Sequence, residues 1–204
     1  VTSPDANGVH DDALNAQDTA RADLYAIIGR FFFAAPDEPL LAAIRGGGEA
    51  ATSGPLGAAW DALREACKTA DPVTLRHEFE TLFCGVGKSE ITPFSSHYVK
   101  EASPDRHLLR LRQILKAWNF SRSGAATETE DHVAGICDVM RLLIGGSRPL
   151  DEQGLFFNEF VYPALVPFCE AIGRSVNASF YGCVAQFALA FLVVEKAAFE
   201  MQDA

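Results

Sequence analysis

The sequence predicts an all-α fold, a single-domain helical bundle, and three observations carry it. Apolar residues recur at helical spacing along the chain, from Leu24, Ile27, Ile28 and Phe31 to Phe180, Val184, Phe187 and Phe191. No stretch alternates apolar and polar residues as a half-buried strand would. Helix punctuation separates the apolar segments: Asp71-Pro72 and Ser103-Pro104 as starts, Gly46-Gly47-Gly48 and Gly145-Gly146 as stops. With 204 residues, 49% of them hydrophobic and 22% charged, the chain can bury one sizeable core. Its 15 Phe against 2 Met point to a firmly packed interior.

Taken in order, residues 1–17 hold Pro4, Asn7, Gly8 and several Asp and read as a mobile N-terminal segment, leaving 18–204 as the domain. A helix runs from Arg21 to Pro36, with Phe32 on its apolar face. A short one spans Pro39 to Arg45, and Pro55 opens the next, with Leu56, Trp60, Leu63 and Cys67 on one side. After Asp71-Pro72, the residues Leu75, Phe79, Leu82 and Phe83 form a buried stripe, followed by a loop from Gly85 to Glu101. In the helix after Ser103-Pro104, Leu108, Leu111, Leu115 and Trp118 face inward. Its opposite face carries Arg106, Arg110, Arg112 and Lys116 and reads as solvated surface. The Ser/Gly/Ala-rich stretch 119–127 is a hinge candidate extending to 129, which would let two chains exchange their C-terminal helices; a monomer or a domain-swapped dimer is expected. Three helices remain: Glu130 to Ile144, one from Asp151 that Pro163 should kink or break, and Ser175 to Phe199.

A formal net charge of −10 argues against nucleic acid as a partner. It favours a basic peptide or protein surface instead. The five cysteines are scattered without a C-x-x-C pair and read as reduced thiols of a cytoplasmic protein. His10, His77, His97 and His107 lack metal-ligand spacing, so neither metal nor cofactor is expected; His77 and His107 read as solvated. The polar, acidic start does not read as a secretory signal. The longest apolar run, Cys183 to Val194, falls short of the ~20 residues that cross a bilayer, so no stable membrane insertion is expected.

Two segments concentrate the remaining signal: EFETLFCGVGKSEITPFSSHY from Glu78 to Tyr98, and TETEDHVAGICDVMR from Thr127 to Arg141. Gly87-Lys88-Ser89 imitates the end of a phosphate-binding loop, but Leu82 stands at the first glycine position and a helix precedes it where a strand is required. A nucleotide-binding protein or hydrolase using Gly85 to Ser89 with Asp131 and His132 is the alternative to a binding protein. A scaffold subunit packed on a permanent partner is a third reading. Pro93 to Tyr98 presents two aromatics and hydroxyls that suit peptide capture or, equally, tuck into the core. Acids at 128, 130 and 131 complement a helix N-terminus, with Thr127 or Thr129 as cap. Asp131 and His132 are adjacent and do not face each other, so they form no evident catalytic pair, and a polar cluster holding a cationic or amide-rich ligand is the better reading.

In these same residues the chain resembles the TorD/DmsD family, with the more distant NarJ group: cytosolic chaperones for maturing molybdenum-containing redox enzymes. Phe79, Leu82, Phe83, Gly85 and Gly87 match an F-x-x-L-F-x-G-x-G segment. Pro93, Phe94, Ser96 and Tyr98 match a P-[YWF]-x-S-x-Y loop. Glu128, Asp131 and His132 match E-P-x-D-H, with Thr129 where the family has Pro. The resemblance implies an all-α non-enzyme that binds the twin-arginine signal peptide and immature catalytic subunit of a molybdoenzyme until cofactor insertion. The client would be like a dimethyl sulfoxide or trimethylamine N-oxide reductase, or a formate dehydrogenase, towards which Gly85 to Lys88 leans. In that reading Asp131 and Glu128 supply charge; Leu82, Phe83, Phe94 and Tyr98, braced by Pro93, form a groove wall; His132 and Ser96 bond peptide amides.

Overall fold

The computed structural model describes residues 6–48, 54–85, 89–99, 103–120 and 129–202. Its helices are α1 (Ala6–Phe33), α2 (Glu38–Gly46), α3 (Pro55–Thr69), α4 (Pro72–Phe83), α5 (Pro104–Ala117), α6 (Val133–Gly145), α7 (Leu150–Phe156), α8 (Tyr162–Arg174) and α9 (Phe180–Gln202). A 3-10 turn, Ser95–His97, precedes α5, and a π-helical turn, Phe157–Val161, joins α7 to α8. No strand occurs among the described residues, and the all-α expectation holds.

Local chemistry sets most boundaries. The side chains of Asp37, Asp71 and Ser103 accept the backbone N–H of Leu40, Thr74 and Arg106, each with Pro in the first turn that follows. Both α5 and α6 end in paired reverse bonds that satisfy the last carbonyls. Phe120 N–H reaches Leu115 O at 2.8 Å and Asn119 N–H reaches Lys116 O at 3.1 Å, with Asn119 at φ 60°. Arg148 and Ser147 repeat the pattern on Leu143 and Ile144, both at 2.9 Å.

Four boundaries differ from expectation. α1 begins at Ala6, well before Arg21, because Ala13, Leu14, Ala16, Gln17 and Ala20 are good helix formers that outweigh Gly8 and Asn15. α6 begins at Val133 rather than Glu130, since backbone bonds to residues 93 and 95 hold Asp131 and Val133. α9 starts at Phe180 rather than Ser175, because Glu90 bonds Ser175 and Asn177 in a turn. Pro163 does not break its helix: the wider π turn just before it accommodates the missing N–H, and helix runs from Leu150 to Arg174.

The core is aromatic. Phe32 meets Phe168 edge-on at 4.9 Å, and Phe83 meets Tyr181 at 5.2 Å. Tyr181 donates its hydroxyl to Phe31 O, tying α9 to α1. Glu78 of α4 caps α9 from outside, accepting the N–H of Tyr181 at 2.8 Å. Farther along, Arg21 of α1 grips Glu195 of α9 through Nε and Nη2 at 2.7 and 3.0 Å, and Tyr25 donates to the same carboxylate. Burial pulls the Arg21 pKa down, but hydrogen bonds to Glu195 and Asp18 and the charge of Glu195 together outweigh it and raise the pKa. The stretches Leu150–Arg174 and Phe180–Met201 have the length and composition of a membrane span, but they pack on each other with about half of each buried, as core helices do.

α1 and α6 form the most extensive helix pair. Gly29 permits it: a Cβ there would stand 3.2 Å from Cys137 Cβ and 3.4 Å from Ala134 O. This close crossing places the start of α6 beside the C-terminal turns of α1.

Candidate functional site

The two distant segments meet at a short antiparallel bridge pairing Phe94 with His132. Ser95 N–H donates to Asp131 O at 2.8 Å, and Val133 N–H to Pro93 O at 2.9 Å. Asp131 is 3% exposed, and its carboxylate accepts the hydroxyls of Ser96 and Thr129, one on each oxygen, both at 2.5 Å. His132 is the N-cap of α6: its Nδ1 accepts the N–H of Ala134 at 3.2 Å, and its ring stands edge-on to Phe94 at 5.3 Å. A neutral imidazole therefore caps the helix in place of Thr127 or Thr129, which explains a histidine at a positive helix end.

A groove of about 530 Å³ opens beside this junction, between α1, α5 and α6. Phe33, Leu115, Phe120, Val139 and Leu142 give it apolar walls. Phe33 is 62% exposed and Leu142 38%, so two large apolar side chains stand in solvent at this place. His132, Thr129 and Glu130 form the end that adjoins the bridge. Around the rim stand Arg30, Arg112, Lys116 and Arg141 against the carboxylates of Glu130 and Asp138.

The sequence-derived site residues do not share one place. His132 reaches the groove directly, while Asp131 lies behind it with both oxygens taken. Leu82 is fully buried and Phe83 is 7% exposed; both belong to the core and line no open groove. Pro93 is buried, Ser96 bonds Asp131, and half-buried Tyr98 packs on Phe168 at 5.8 Å with its hydroxyl pKa pushed up to about 12 by burial. Half-buried Phe94 takes part in the bridge. Glu128 lies outside the described residues, as do residues 86–88 of the glycine loop and most of the proposed hinge. Of the residues that the hydrolase alternative names, Asp131 has both oxygens taken and His132 caps α6 through Nδ1.

Other expectations change as well. His107 is not solvated: it is 1% exposed, shares a 2.7 Å hydrogen bond with Ser95 and lies against Phe160. Arg112 and Lys116, read as plain surface, line the groove. So do Arg30 and Phe33, which sequence reasoning missed because only the α1–α6 crossing brings them there. The basic face of α5 just before the 119–127 stretch was the one available signal for Arg112 and Lys116.

Residues 49–170 match the family model described as nitrate reductase delta subunit. No curated protein matches the chain. Among solved structures, a candidate redox enzyme maturation protein from Archaeoglobus fulgidus aligns with a TM-score of 0.55 at 19% identity, over 86% of this chain and 93% of that one. That likeness supports the helical fold.

Proposed function

Because the chain belongs to the nitrate reductase delta subunit family, we propose that it holds the immature catalytic subunit of a molybdoenzyme by its twin-arginine leader until the cofactor is inserted. The family's proteins are redox enzyme maturation chaperones, not catalysts, and their partner is a molybdoenzyme catalytic subunit. The chaperone would act in the cytoplasm and use the leader as TorD/DmsD proteins do.

One observation carries the proposal: the groove between α1, α5 and α6 combines exposed apolar walls with the carboxylates of Glu130 and Asp138. A twin-arginine leader is basic and then apolar, so its apolar stretch would lie on Phe33, Val139 and Leu142. Its arginines would face Glu130 and Asp138, not Asp131, whose oxygens are occupied. The bridge between residues 93–95 and 131–133 acts as a clip that fixes the groove's end.

Titration calorimetry with a synthetic leader peptide tests this. Saturable binding is expected, weakened at least roughly tenfold by Leu142→Asp or Phe33→Asp, which bury a charge under the peptide. Unchanged affinity in both variants would remove the groove from the reading. Co-purification from native cells would identify the client subunit.

A further inference from the structure

Both carboxylates that line the groove are already held by arginines that line it too. Arg112 sets Nε and Nη2 on Glu130 Oε2 at 3.0 and 2.9 Å. Arg141 sets Nε and Nη2 on Asp138 Oδ1 at 2.8 and 2.7 Å. The arginines are open to solvent, Arg112 at 50% and Arg141 at 40%, while of their partners Asp138 is 57% exposed and Glu130 22%. With Arg30 and Lys116 added, cations outnumber carboxylates around an apolar cavity in a chain whose net charge is −10. An open acidic pocket is not what a basic segment meets here.

We propose that Arg112 and Arg141 are internal stand-ins for the partner's two arginines, and that binding proceeds by exchange of one guanidinium for another at Glu130 and at Asp138. This rests on the reading that the groove takes a leader. In the empty groove each carboxylate keeps a guanidinium partner; on binding, Arg112 and Arg141 swing out to water and the incoming arginines take their places. Half-exposed ion pairs contribute little to stability, so the exchange is nearly neutral and the apolar walls supply the affinity. Glu130 stands just before α6 and Asp138 within it, and both line the same groove. The planar guanidinium fork is replaced on equal terms only by another, which makes arginine preferred over lysine. The exchange also weighs modestly against segments without arginine, since they do not restore the ion pairs they break.

Fluorescence anisotropy with a labelled peptide, two arginines followed by an apolar stretch, tests the exchange on the full chain. Arg112→Gln and Arg141→Gln each remove a stand-in and should tighten binding roughly two- to fivefold, the range of one exposed ion pair. Lys116→Gln removes the same charge from the rim outside both pairs and should change affinity less. Glu130→Gln and Asp138→Asn should weaken binding, and a lysine-pair peptide should bind more weakly than the arginine pair. Equal gains in all three cation variants would reduce the effect to bulk charge and overturn the exchange; so would tighter binding of a glutamate-pair peptide, or loss of affinity in Arg112→Gln and Arg141→Gln. If the wild type and the Arg112→Gln/Arg141→Gln chain both ignore every peptide, the leader reading falls and takes the exchange with it. If the wild type binds but shows no gain on losing its stand-ins, the exchange alone falls.

Discussion

His132 caps α6 with a ring nitrogen, and this arrangement governs how its end of the groove responds to change. The Nδ1 acceptor takes Ala134 N–H only while that nitrogen carries no proton, so the neutral ring is part of the fold. Next to it, Asp131 binds the Ser96 and Thr129 hydroxyls and gives Ser95 its carbonyl, holding two distant segments together with charge-assisted bonds. Its work is internal, and its burial at 3% exposure keeps it from meeting a ligand. His132→Ala should therefore destabilise the chain by about 1 kcal/mol, the usual loss of an N-cap acceptor, and His132→Asn should recover most of it. Urea unfolding of the three proteins measures this. Equal losses for Ala and Asn would show that the ring matters for its contact with Phe94 and not as a cap.

Among the elements, the pairing of α1 with α6 decides whether a groove exists at all. Gly29 lines that groove and also marks the closest approach, where an added Cβ would press on Cys137 Cβ at 3.2 Å. A branched side chain cannot fit without parting the helices. Gly29→Val should lower stability by about 2 kcal/mol, in the range of overpacked cores, and should weaken leader binding as Phe33 and Val139 separate. Thermal unfolding that leaves the midpoint unchanged would contradict the crossing. This explains which parts of the molecule were legible beforehand. Caps such as Asp71 and Ser103, and apolar stripes such as Leu75 and Leu82, are local patterns that act within one helix, so they could be read in order along the chain. The motif-bearing segments were also legible, and they do meet at residues 93–95 and 131–133. What could not be read is which side of that meeting faces water. That depends on how all the helices pack, a tertiary outcome in which Leu82 and Asp131 are buried and Phe33 and Leu142 are exposed.

At the scale of the whole molecule, two opposing electrostatic fields act on any basic segment. The chain's net charge of −10 attracts it from a distance. The cations on the groove's rim, of which Arg30 is already paired with Asp37, oppose it at contact, until exchange with Arg112 and Arg141 satisfies both carboxylates. Salt separates the two effects, because screening acts over about 10 Å at 0.1 M and removes the long-range attraction first. The rate of association with an arginine-bearing leader should fall several-fold as ionic strength rises from roughly 0.05 to 0.5 M, since encounter is steered by the distant field. Dissociation should change far less, because the bound segment is held by apolar contact on Phe33, Val139 and Leu142 and by ion pairs of the kind it displaced. Stopped-flow measurement of both rates across that range gives the answer. An association rate that rose with salt would mean the rim cations outweigh the body of the protein, and the acidic surface would then play no part in bringing the client to the groove.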